Sequence, residues 1–110
     1  MLFRSVWRIS SHVDPASLPV VAALAKLLGV EQGENSSGGG ADLGPMSPAR
    51  VPIISLAQDA TAYFDLHHTS NDTLDKIDPK ELAQNVAVWA AFLYTVADSD
   101  IDFQIGRAHV

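Results

Sequence analysis

The chain has 110 residues, 47% of them hydrophobic and 18% charged, with a formal net charge of −6 and no cysteine. That length allows one small domain near the lower limit for a self-sufficient core, and the apolar share marks it as globular rather than disordered. The acidic balance argues against nucleic-acid binding, which needs clustered Lys and Arg to neutralise phosphates. No apolar run approaches the ~20 residues of a membrane span. Disulfides and thiolate metal sites are excluded by the missing cysteines.

The two ends look foreign to the rest. Met1-Leu2-Phe3-Arg4-Ser5 back-translates as GTG CTC TTC CGA TCT, and Ile105 to Val110 as ATC GGA AGA GCA CAC GTC, both resembling a sequencing adapter. Residues 1–5 and 105–110 are therefore expected to be non-native, with 6–104 a piece of a longer protein. Arg4 and Arg8 are followed by no apolar stretch, so no signal peptide is visible.

Val6 to Ile9 reads as a weak strand. Asp14 before Pro15 suits a helix N-cap and first position, and Leu18, Val21, Leu24, Leu27 and Leu28 form a helical stripe up to Gly29, a C-terminal stop. Pro19 inside that stripe places the true start nearer Ser17. Glu31 to Ala41, with Asn35-Ser36-Ser37-Gly38-Gly39-Gly40, is a loop. Pro52 to Leu56 reads as a short buried strand. Asp78-Pro79-Lys80-Glu81 is a capping-box pattern with Pro at the first helical position. Beyond it Leu82, Val86, Trp89, Leu93 and Val96 share one face, flanked by Ala87, Ala90 and Ala91. A helix apolar nearly all round packs on a sheet rather than facing water. Helix, loop, strand, polar loop, helix is a slice of an α/β sandwich with too few strands to be a whole one.

Tyr63 to Pro79 gathers two His and four Asp in seventeen residues. A catalytic zinc takes about three protein ligands and leaves a position open. Adjacent histidines alone say little, and His67 and His68 also suit a plain surface loop. In an extended segment neighbouring side chains point oppositely, so one of the two would face a site and the other away. Asp72, Asp65 and Asp75 compete to orient a ligating imidazole through its second nitrogen. Gly38 to Pro45 lacks the Lys of a phosphate-binding loop. It reads either as a linker in which Asp42 caps a turn or as backbone that a ligand approaches closely. Tyr63 and Phe64 suit a specificity pocket or the core, whereas Trp89, Phe92 and Tyr94 sit at core spacing.

The segment His68-Thr69-Ser70-Asn71-Asp72-Thr73, with Leu74, Ile77-Asp78-Pro79 and the helix Asn85 to Phe92 and Tyr94 to Asp98, resembles the C-terminal end of the co-catalytic zinc exopeptidases. The resemblance is to the aminopeptidase family's carboxypeptidase Q (plasma glutamate carboxypeptidase) branch. It implies an α/β fold, the C-terminal slice of a three-layer α/β/α sandwich with a mostly parallel central sheet. Residues 6–104 would be the C-terminal part of the catalytic domain. It further implies two zinc ions in the full-length enzyme, His68 as the last ligand along the chain, and Asp72 as its orienting partner. Gly39, Gly40, Asp42 and Tyr63 would lie near a peptide substrate. The other ligands and a general-base Glu are expected upstream, and nothing here matches them, so the isolated chain should be inactive. Such relatives are commonly secreted or periplasmic, and an oligomer is compatible with the pattern. Glutaminyl cyclases share the late His but hold one zinc, with a different run after His-Thr. A non-catalytic interaction domain that keeps the fold is the other alternative.

Overall fold

The computed structural model describes residues 5–61 and 63–106, so most of the adapter-like residues, 1–4 and 107–110, lie outside the described residues. A three-stranded sheet in the order β2-β1-β3 is built from β1 (Val6–His12), β2 (Glu31–Gln32) and β3 (Ile53–Gln58). β1 runs parallel to β2 and antiparallel to β3. The sheet is thus mixed, and its longer pairing is antiparallel, in contrast to the mostly parallel sheet expected.

The weak strand of the sequence is the central one. Its register shifts between Val6 and Arg8, where Val6 pairs with Gln58 and Arg8 with Ala57. One extra residue, Trp7, is accommodated there, and that parity change buries both Val6 and Ile9, three positions apart, on one face. Ser10-Ser11-His12 extend the strand beyond where its apolar residues stop. Ser11 is buried and its hydroxyl donates to Asn35 Oδ1 at 2.8 Å.

Two amide side chains act as surrogate strand residues at the ends of β1. Asn35 Oδ1 accepts from the Val13 N–H at 3.0 Å while Asn35 Nδ2 donates to the Val13 carbonyl at 2.8 Å. Gln84 Oε1 accepts from the Val6 N–H at 2.7 Å while Gln84 Nε2 donates to the Val6 carbonyl at 2.9 Å. Each supplies the donor and acceptor that a neighbouring strand would otherwise provide.

A 3₁₀ turn, Pro15–Ser17, precedes α1 (Leu18–Leu28), with Ser17 at the N-cap and Pro19 in the first turn, where its missing N–H is harmless. Gly29 closes α1 in the left-handed region at φ 69°, its N–H reaching the Ala25 and Lys26 carbonyls. Two single-turn helices follow, α2 (Gly40–Leu43) and α3 (Tyr63–Leu66). α4 (Pro79–Asp98) begins at Asp78, whose Oδ1 accepts from the Lys80 N–H at 2.8 Å.

α4 buries a different face from the one its apolar stripe indicated. Asn85, Val88 and Phe92 are buried, whereas Val86, Trp89 and Leu93 are 59%, 53% and 62% exposed. The buried stripe is masked in the sequence by Asn85, a polar residue satisfied locally. Its Nδ2 donates to the Glu81 carbonyl at 2.8 Å and its Oδ1 accepts from Gln58 on β3. One core cluster joins Val6, Ile9 and Val13 to Val21 and Ala25 of α1, Val88 and Phe92 of α4, and Phe103. Phe103 also accepts the Asp14 N–H at 2.9 Å, tying the tail to the start of the first turn.

The Cα radius of gyration is 15.4 Å, with extents of 53 × 30 × 20 Å. A compact domain of this length would have about 13 Å. The polar segment 63–78 contributes no residue to the core cluster and is joined to it through β3 and α4. Among the described residues no helix is long and apolar enough to cross a membrane.

Candidate functional site

The segment between β3 and α4 is a chain of consecutive turns. α3 supplies one helical turn, in which the His67 N–H reaches the Tyr63 carbonyl at 2.8 Å. The Leu66 carbonyl then takes both the Thr69 N–H at 3.0 Å and the Thr69 hydroxyl at 2.6 Å. Asp72 N–H bonds the Thr69 carbonyl at 3.2 Å, and a 3₁₀ turn, Leu74–Lys76, leads to Asp78.

His68 stands at φ 57°, left-handed, directly after α3. A non-glycine residue there is uncommon, although His is among those enriched. The turn also changes how the histidines point. In place of the opposite directions of an extended loop, the His67 and His68 rings stack, 3.8 Å between centroids and 25° between planes. His67 in turn stacks on Tyr63 at 4.3 Å, and its Nε2 lies 3.1 Å from the Tyr63 hydroxyl. Phe64 meets Tyr63 edge-on at 5.2 Å and is otherwise exposed. The result is a ladder of four rings. Tyr63 and His67 are half-buried and mutually fixed, and His68 is its exposed outer rung.

Asp72 is half-buried four residues on, its backbone locked to Thr69. The Asp75 carboxylate lies below its usual 3.8 because the Thr73 hydroxyl donates to it and Lys76 sits 3.3 Å away. Its polar neighbours are thus satisfied within its own turn.

Among the described residues no three His, Cys, Asp or Glu side chains come together as a metal would require. His68 offers an exposed imidazole, one candidate donor. The donor set in this chain therefore fits a contribution to a metal site and falls short of holding an ion alone.

The glycine loop is a separate feature, with no bond to the ring ladder among the described residues. Ser37 anchors it: its N–H donates to the Ser11 carbonyl at 2.9 Å, and its hydroxyl lies 2.6 Å from that of Ser55 on β3. Gly39 is left-handed at φ 75°, and a Cβ there would meet Leu43 Cβ at 2.7 Å and Ile53 Cδ1 at 3.3 Å. Packing inside this chain thus accounts for Gly39 without a ligand. Gly40 and Asp42 are exposed on α2. Sequence reasoning treated Asn35-Ser36-Ser37 as generic loop. Asn35 and Ser37 fasten the loop to the sheet, a role that depends on partners Ser11, Val13 and Ser55 remote in sequence.

No protein-family profile matches the chain. It is 43% identical over 65 residues to mouse carboxypeptidase Q, and 42% identical over 65 residues to the human protein of the same name. Each alignment covers 59% of this chain and 14% of the relative. A solved structure, a peptidase M28 precursor from Shewanella amazonensis, superposes with a TM-score of 0.83 at 43% identity, covering 92% of this chain and 24% of that one. The mixed sheet with its helices agrees with a slice of that fold. By sequence and by structure, the chain is similar to carboxypeptidase Q and to an M28 peptidase precursor, and it spans a minor part of their length.

Proposed function

We propose that the chain is the C-terminal part of a zinc-dependent exopeptidase domain, a three-layer α/β/α sandwich when whole, in which His68 is one ligand of a two-zinc site. The supporting observation is the coincidence of two independent matches. The fold superposes on an M28 peptidase over nearly the whole chain, and the same chain carries an exposed His68-Thr69 followed by a half-buried Asp72 and an exposed Thr73. When bound, the metal pair would supply a polarised substrate carbonyl and a water acidified toward neutral pH. The chain's own contribution is positional. The ring ladder Tyr63-His67-His68 stiffens the turn so that the outer imidazole is presented at low entropic cost. Asp72 is the acceptor that would orient it. Gly39, Gly40, Asp42 and Tyr63 would border the peptide, with the glycine loop held rigid by Ser37. The general-base Glu and the remaining ligands belong to segments outside this chain, so the 110 residues alone are inactive. Export of the parent, and the adapter origin of residues 1–5 and 105–110, belong to the same reading.

Resequencing the source DNA across both ends recovers the parent frame. The parent should contain about two zinc ions per chain by elemental analysis and release single amino acids from short peptides. His68→Ala should lower both the zinc content and the rate. A parent with full activity and unchanged zinc after that substitution would remove His68 from the site. A genuine start codon directly at Met1 would remove the peptidase reading of this chain.

A further inference from the structure

We propose that His67 is the positioning residue for the His68 imidazole. Anchored by Tyr63, it fixes the plane in which its neighbour offers a lone pair to zinc, a role that rests on the reading of His68 as a ligand. It gives a task to the histidine that this reading leaves without one.

An imidazole points its donor lone pair within the plane of its ring. The torsion that turns that plane is broad for histidine, so an unrestrained ring sweeps its donor away from a metal. His68 is exposed, and among the described residues no hydrogen bond reaches its ring. What lies against it is the face of His67, 3.8 Å away and 25° from parallel. The left-handed backbone at φ 57° brings the ring there, where an extended residue would point to the opposite side. His67 is in turn held twice by one residue. Tyr63, a helical turn earlier, stacks on it at 4.3 Å and 21°, which sets the tilt of the His67 ring. The Tyr63 hydroxyl lies 3.1 Å from His67 Nε2, which sets the rotation of that ring within the stack. The same bond occupies Nε2 of His67, whichever partner donates, and takes that nitrogen out of the ligand set. Two adjacent histidines thus have different tasks: one is engaged inward with Tyr63, and the other keeps an open ring edge. Tyr63, His67 and His68 all lie outside the core cluster, so removing the inner ring should disturb the aim of His68 and leave the scaffold intact.

The test compares His67→Ala, His67→Phe and Tyr63→Phe by NMR relaxation of the His68 ring and by zinc affinity. In the metal-free 110-residue chain the His68 ring should be about as ordered as rigid backbone, with an order parameter near 0.85. In His67→Ala it should fall below about 0.6. His67→Phe keeps an aromatic face and should restore the order. Tyr63→Phe removes only the hydroxyl, so it should shift the His67 Nε2 resonance and lower the order of His68 part of the way. All four proteins should share one melting temperature, which a merely structural role of His67 would change. In the parent, the zinc dissociation constant measured by chelator competition should rise ~10–100-fold in His67→Ala and return toward its original value in His67→Phe. A His68 ring equally ordered in His67→Ala, a Phe variant no better than the Ala variant, or zinc held as tightly without His67 would each overturn the proposal. His68→Ala in the same parent separates this role from the reading beneath it. If that substitution weakens zinc and His67→Ala does not, the ligand stands and its positioning partner falls. If neither weakens zinc, both fall.

Discussion

The sheet around β1 and the turn segment 63–78 are held together in opposite ways. Around β1 the polar contacts are long-range: Val6 with Gln84 across 78 residues, Ser11 with Asn35 across 24, Gln58 with Asn85 across 27. In the segment 63–78 short-range side-chain bonds recur, as between Tyr63 and His67 or Thr73 and Asp75. The first region orders itself by burying what it pairs. The second is ordered by local turns and by one ring ladder, and it leaves its outer imidazole in solvent. The difference is the one expected between a supporting element and the loop it carries.

The largest effect that would break this contrast is in the core. Phe92→Ala should destabilise the isolated chain by about 3–5 kcal/mol, read from the urea midpoint. Leu93→Ala, one residue along the same helix, should stay within about 0.5 kcal/mol. Equal losses would mean that α4 buries the stripe seen in its sequence and not the one in the structure.

The amide clamp comes next. Asn35→Ala strips partners from the Val13 N–H, the Val13 carbonyl and the Ser11 hydroxyl, and should cost about 1–3 kcal/mol, with faster exchange at Val13. A silent substitution would show that water replaces the clamp freely.

For the turn segment, His68→Gly should be neutral or stabilising by up to about 1 kcal/mol in a thermal melt, because glycine accepts a left-handed backbone without a Cβ clash. His68→Ala should be less stable than His68→Gly. A His68→Gly protein less stable than the unsubstituted chain would mean that the ring stack contributes more than the backbone costs.

The smallest effect is electrostatic. Thr73→Ala should raise the Asp75 pKa back toward 3.8 in a carboxyl NMR titration. Since the folded carboxylate is depressed, its contribution is present above the unfolded pKa and lost as pH falls through the folded one. The group is fully exposed, so the effect on stability is small, and what difference there is between the two proteins' melting curves should appear above the unfolded pKa and vanish as pH falls through the folded one. An unmoved Asp75 titration in the variant would point to Lys76 as its main partner.

Much of the local structure was legible from side-chain chemistry. The Ser17 start, the Gly29 stop, the Asp78-Pro79 cap and the short strand after Pro52 all depend on residues that dictate their own backbone. The central strand was read only to Ile9, because Ser10-Ser11-His12 look like loop until Asn35 is placed beside them. The face of α4 was misread because a helix apolar on every side has no periodic signal to follow. The stacking of His68 on His67 follows a left-handed backbone that no spacing rule anticipates.

The sequence by itself determined where the two long helices begin, where α1 stops at Gly29, and that the chain is α/β. Those properties are set by groups within a few residues of one another. Tertiary structure alone decided which strand is central, which side of α4 is buried, and how the glycine loop is anchored. Each of these depends on a donor, acceptor or apolar surface brought in from far along the chain, and periodicity does not encode which distant partner will arrive.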